Sequence, residues 1–101
     1  MRAHLVTIFW RDIPAQVNAQ SGRTRRQVVL DRRFQVAIDK AAMVAGLHDV
    51  HGYVQQWRRV ARPCGDDLAM EAATAASVLE SAYPRTRLQR IVLAGGIDPD
   101  S

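Results

Sequence analysis

The stretch Arg25-Arg26-Gln27-Val28-Val29-Leu30-Asp31-Arg32-Arg33-Phe34 decides the fold class, because the hydrophobic period changes within it. Residues 25–30 end in a short apolar, β-branched run and read as a strand. Beyond Leu30, the residues Phe34, Ile38, Ala41, Ala42 and Ala45 recur at i, i+4, i+7, i+8 and i+11. That is the single apolar stripe of an amphipathic helix. Asp31 is placed to cap it, and Gly46 to end it.

Upstream of the switch, Ser21-Gly22-Arg23-Thr24 reads as a turn, so residues 15–30 predict a hairpin. His4-Leu5-Val6-Thr7-Ile8-Phe9-Trp10 is a further strand, apolar on both faces and therefore central. Pro14 lacks an N–H and predicts that the chain leaves the ladder near Ile13. Downstream, Asp49 caps a predicted second helix in which Val50, Tyr53, Val54, Trp57 and Ala61 share a face, ended by Arg62-Pro63. Asp66 or Asp67 caps a third, with Leu68, Ala72, Ala75, Ala76, Leu79 and Tyr83 turned inward. Pro84 introduces a short fourth helix that Gly95-Gly96 terminates. Residues 97–101 read as a loose tail. Strands followed by helices define an α+β fold. The expectation is a small, mostly antiparallel sheet of about three strands, then three to four helices packed on one face. The 101 residues read as a single domain with an ordered core over roughly residues 4–95.

Apolar residues at 48% and charged residues at 24% are a globular composition, so disorder and fibrous classes are excluded. No apolar run approaches the roughly 20 residues that a membrane helix needs. Arg2 and His4 lead into too short a stretch for a signal peptide, which predicts a cytoplasmic protein. A lone cysteine, Cys64, excludes an internal disulfide framework. The net charge is +4, and thirteen of the fourteen basic residues are arginine, so the arginines are what the charge reading must explain. Arg23, Arg25, Arg26, Arg32 and Arg33 crowd one segment and are the candidate polyanion-binding residues. The competing reading is a compositional bias toward arginine, with most of these side chains solvating exposed faces.

Chemistry-bearing constellations are few. Cys64 precedes a predicted helix, which lowers a thiol pKa, but Asp66 and Asp67 follow it and act the other way. His48 and His51 are three apart without a third ligand at matching spacing, short of a metal site. The carboxylates read as caps or exposed helical positions, and no phosphate-binding glycine loop or nucleophile elbow occurs. An arginine-lined pocket with Asp12 or His51 as base is the weakest reading. The string Trp10-Arg11-Asp12-Ile13-Pro14 is the exception, because strand propensity does not call for it. It reads either as a recognition loop or as a strand exit with a bulge.

With Trp10-Arg11-Asp12-Ile13-Pro14-Ala15-Gln16-Val17, Arg33-Phe34, Ala37-Ile38-Asp39-Lys40-Ala41-Ala42-Met43 and Trp57-Arg58-Arg59, the chain resembles a small bacterial domain family known as virulence factor. It is similar to the C-terminal domain of the larger conserved virulence factor C proteins and to stand-alone proteobacterial forms. The resemblance spans roughly residues 4–95, and Gly65-Asp66-Asp67 fits its pattern whereas Cys64 does not. It carries no catalytic residues. Stand-alone members are encoded beside proteins of folate- and corrinoid-dependent methyl transfer. The resemblance therefore implies an accessory role in one-carbon metabolism, with a methyltransferase or reductase as partner.

The resulting expectation is a non-enzymatic protein without cofactor or metal that works by binding another protein. Its contact surface is expected at Trp10, Arg11, Asp12 and Pro14, with Trp57, Arg58 and Arg59 beside them. The alternative is an arginine-rich module for nucleic acid or another polyanion. A homodimer through an open sheet edge is compatible with either.

Overall fold

The sheet forms around the strand that is apolar on both faces. In the computed structural model, which describes residues 2–47 and 49–100, that strand is β1 (Ala3–Trp10). It lies between β2 (Ile13–Ser21) and β4 (Trp57–Cys64), and β3 (Thr24–Val29) pairs with β2 on the far side. The order is β3-β2-β1-β4 and every pairing is antiparallel. The helices are α1 (Arg32–Val44), α2 (Val50–Val54), α3 (Leu68–Ala82) and α4 (Arg85–Leu93). The fold is α+β, as the switch at Leu30 predicts.

Two expectations about this sheet are corrected. Residues 57–64 are a fourth strand, and the second helix stops at Val54. Without β4, one edge of the central β1 would lack partners for its backbone N–H and C=O groups, which cost free energy when left unpaired. The pairing runs from Trp10 opposite Trp57 to Ala3 opposite Cys64. Pro63 is tolerated because β4 is an edge strand, where a missing N–H costs no ladder bond on the open side. The second correction concerns Pro14, which stays in the sheet opposite Phe9. The register shifts between Ile8 and Phe9, and at such a bulge an irregular backbone position suits proline.

The α3 helix lies against β2 and β3. Its buried Ala72, Ala75 and Ala76 present almost no side chain, so helix and sheet approach closely. Asp67 provides the cap, accepting from Met70 N at 3.1 Å. The helices α1 and α4 pack side by side in the same direction. At their starts Arg33 Nη2 donates to Tyr83 O, and at their ends a methyl placed on Gly95 would lie 3.3 Å from Ala45 Cβ. Trp10, Ile13, Val17, Phe34, Ile38 and Ile91 are fully buried at the junction of these layers.

The tail is not loose. Asp98 is buried; its N–H donates to Asp12 Oδ2 at 2.7 Å, and its carboxylate accepts from Arg87 Nη2 at 2.9 Å. The Asp100 N–H also donates to Asp98, which holds residues 98–100 in a turn.

Candidate functional site

The Trp10–Pro14 string closes the hairpin between β1 and β2. Trp10 and Ile13 face each other across the turn and both are fully buried. The indole Nε1 of Trp10 donates to Tyr53 O at 2.9 Å, and its ring lies 5.6 Å from that of Tyr53. Tyr53 in turn meets Trp57 edge-on at 6.0 Å. Trp10 and Pro14 are therefore core residues, which removes them from the expected contact surface. A buried aromatic and a proline at a bulge are what the turn needs to stay rigid.

Arg11 adopts a left-handed backbone, φ 51°, which is uncommon for any residue but glycine. Contacts on three sides hold it there. Its N–H donates to Gln56 O, its Nε to Gln56 Oε1 and its Nη1 to Gly95 O. Asp12 donates its N–H to Gly96 O and accepts at Oδ1 from Arg58 Nη2 at 3.2 Å. Arg58 reaches back to Arg11 O and lies 4.4 Å over the Phe9 ring. Strand pairing, not a packed helix, sets Trp57 opposite Trp10 and brings Arg58 to Arg11 and Asp12, whereas Arg59 lies opposite Ile8. Arg11, Asp12 and Arg58 use their polar atoms on one another and on the C-terminal tail, while Arg59 stays exposed.

The five candidate polyanion residues divide. Arg23, Arg25 and Arg26 sit at the hairpin turn and along β3, whereas Arg32 and Arg33 open α1 at the other end of that strand. A six-residue strand spans about 20 Å, so the two groups do not form one patch. Arg33 lies 4.7 Å over Phe34 and donates to Glu80 O and Tyr83 O. Arg87 lies 4.0 Å over Tyr83 while binding Asp98, which raises its pKa.

One concavity joins Arg32 and Arg33 to residues that the sequence does not mark. Between α1 and α4 runs an open groove of about 670 Å³. Val36, Ala37, Leu88, Val92 and Leu93 give it an apolar floor, and Arg32, Lys40 and Arg85 stand at its rim. Asp31 is its single carboxylate and is ion-paired with Arg33. Val36, Met43 and Val44 fall at i, i+7 and i+8, an exposed apolar stripe on α1 beside the buried one. Of that stripe only Val36 lines the groove, so no local pattern in the sequence marks it. A smaller depression of about 290 Å³ lies beside Ile8, Gln16, Val29 and Trp57.

The remaining chemical candidates are not assembled. Cys64 is half-buried, and burial together with the Glu71 and Asp66 carboxylates pushes its pKa up against the smaller pull of Arg62. Glu71 itself is engaged by the Gly65 N–H at 2.8 Å. His48 lies outside the described residues, so the His48–His51 spacing has no geometry here. His51 is exposed and its Nε2 is 2.9 Å from Gln55 Nε2. Among the described residues no three His, Cys, Asp or Glu side chains come together to hold a metal.

Sheet, turn and groove belong to one small α+β fold. A protein-family model described as Virulence factor matches residues 8–92, from the middle of β1 to the end of α4, and the chain belongs to that family. Searches of the curated proteins and of the solved structures gave no match.

Proposed function

We propose that this protein is a non-enzymatic accessory protein that works by binding another protein, and that the α1–α4 groove is its docking surface. The observation that carries this reading is a helix-lined groove with an exposed apolar floor. Leu93 is 70% exposed and Val36 is 37% exposed, and both line this groove. Apolar area left open between two helices favours a partner that removes it from water. The family resemblance suggests a partner from one-carbon metabolism, a methyltransferase or a reductase. No resident cofactor or metal is part of this reading. The test is affinity purification of the tagged protein from its native cells, with Leu93→Asp alongside. A stoichiometric partner recovered with the natural sequence and lost with Leu93→Asp supports it. No partner in either case overturns it.

A second reading keeps the arginines as the functional feature. Arg25 and Arg26 on β3, and Arg59 and Arg62 on β4, line the two edges of the sheet. Binding of nucleic acid or another polyanion there would weaken steeply with salt as counterions are released. A flat salt response in an RNA or polyphosphate titration removes it.

A further inference from the structure

We infer that the α1–α4 groove receives an acidic amphipathic helix of a partner protein, lying antiparallel to α1 and α4 with its C-terminal end between Arg32 and Arg85. This rests on the protein-binding reading above and names the chemistry of the segment bound.

Charge complementarity selects the acidic partner. Arg32, Lys40 and Arg85 are exposed and make no hydrogen bond or ion pair with another described residue. The one carboxylate of the groove, Asp31, is neutralised by Arg33. The unpaired charge of the rim is therefore all positive, flanking an apolar floor. A nucleic acid would satisfy the rim and leave Val36, Val92 and Leu93 uncovered. An amphipathic helix satisfies both, with apolar residues at i, i+4 and i+7 on the floor and carboxylates along the sides. A second copy of this chain is a poor occupant. It carries the same +4 charge, which opposes its approach to a cationic rim.

The direction follows from the parallel packing of α1 and α4. Both helices begin at the Arg32–Arg85 end of the groove. Neither has an acidic residue in its first turn and neither N-cap side chain bonds to its helix backbone, although at the start of α1 the Glu80 carboxylate accepts from the Asp31 N–H. The partial positive charge of the α4 start, capped by Pro84 with no carboxylate in its first turn, thus adds to two guanidinium groups at one end. The C-terminal end of a helix, with its partial negative charge, is the complement. The groove is lined from Asp31 to Lys40 on α1 and from Arg85 to Leu93 on α4, about 13 Å, enough to seat two to three turns.

Photo-crosslinking in the native cells tests this with the full chain. A photoreactive residue replaces Val36 near the start of the groove, Leu93 near its end, or Gln27 on β3 as a site away from it. The expected result is adducts at Val36 and Leu93 with one acidic, helically patterned segment. Val36 marks residues nearer its C-terminus than Leu93 does. Lys40→Glu with Arg85→Glu should weaken a synthetic peptide of that segment at least tenfold, and Glu→Lys changes in the peptide should restore binding. An adduct from Gln27 alone overturns the groove while protein binding stands. A segment without acidic residues, or unaffected by charge reversal, overturns the acidic partner. Reversed marking overturns the orientation. No adduct from any position overturns the protein-binding reading as well.

Discussion

Arg11 is the residue where the string Trp10–Pro14 acquires a physical explanation. Its left-handed backbone turns the chain in the space of two residues, and its guanidinium reaches the carbonyl of Gly95 at 2.9 Å. The partner surface is equally constrained. Gly96 has φ +97°, and a Cβ there would fall 2.8 Å from Trp10 Cζ3, on the face of a buried ring that cannot retreat. Gly96→Ala should therefore destabilise the protein by about 1–3 kcal/mol, measured by urea or thermal unfolding. Trp10→Ala removes a fully buried indole and should cost about 3–5 kcal/mol by the same measurement. At Cys64 the raised pKa predicts slow reaction with iodoacetamide at neutral pH compared with free cysteine. Glu71→Gln should accelerate it by removing the carboxylate that raises the pKa most; an unchanged rate would show that Glu71 does not govern the thiol.

At the scale of elements, β4 shows what arginine does at a sheet edge. Arg58, Arg59 and Arg62 occupy a strand whose outer backbone groups face solvent, and Arg25 and Arg26 do the same on β3. Charged side chains on edge strands discourage pairing with another chain. Replacing Arg58, Arg59 and Arg62 together by threonine should leave secondary structure in place and promote self-association, measured by light scattering against concentration. The same segment explains why β4 was not legible. Val50, Tyr53, Val54, Trp57 and Ala61 do fit a helical stripe, and nothing local contradicts it before Pro63. The decision belongs to β1, whose free edge lies some fifty residues away in sequence. By contrast α1 and α3 were legible, since each carries its own stripe and its own boundary signals.

For the whole molecule, the C-terminal segment is a latch that joins α4, the β1–β2 turn and the sheet. Asp98 sits at its centre. The Asp100 N–H and the Arg87 guanidinium hold its carboxyl below the usual carboxylate range. A depressed pKa means that this contribution to stability is present above the ordinary value of about 3.9 and is lost as pH falls through the folded value. Acid should therefore release the tail first. Amide hydrogen exchange at residues 96–100 should rise below roughly pH 4 before exchange in β1 does. Asp98→Asn should remove that difference in pH dependence while lowering the melting temperature at neutral pH. The candidate site also belongs to this scale. Its floor and rim come from α1 and α4, more than forty residues apart in sequence, and neither helix alone forms a concavity.

The sequence by itself determined the α+β class, the hairpin and the long helices, because periodicity and capping act within a few residues of one another. It also marked Trp10–Pro14 as a string that propensity does not require. Only the tertiary structure decided what that string does, by showing its tryptophan and proline in the core and its arginine and aspartate bonded to the C-terminal tail. The groove was decided there too, since its apolar floor exists only where two helices run side by side. A local pattern can specify an element, but strand neighbours, turn partners and clefts depend on chain segments that meet only after folding.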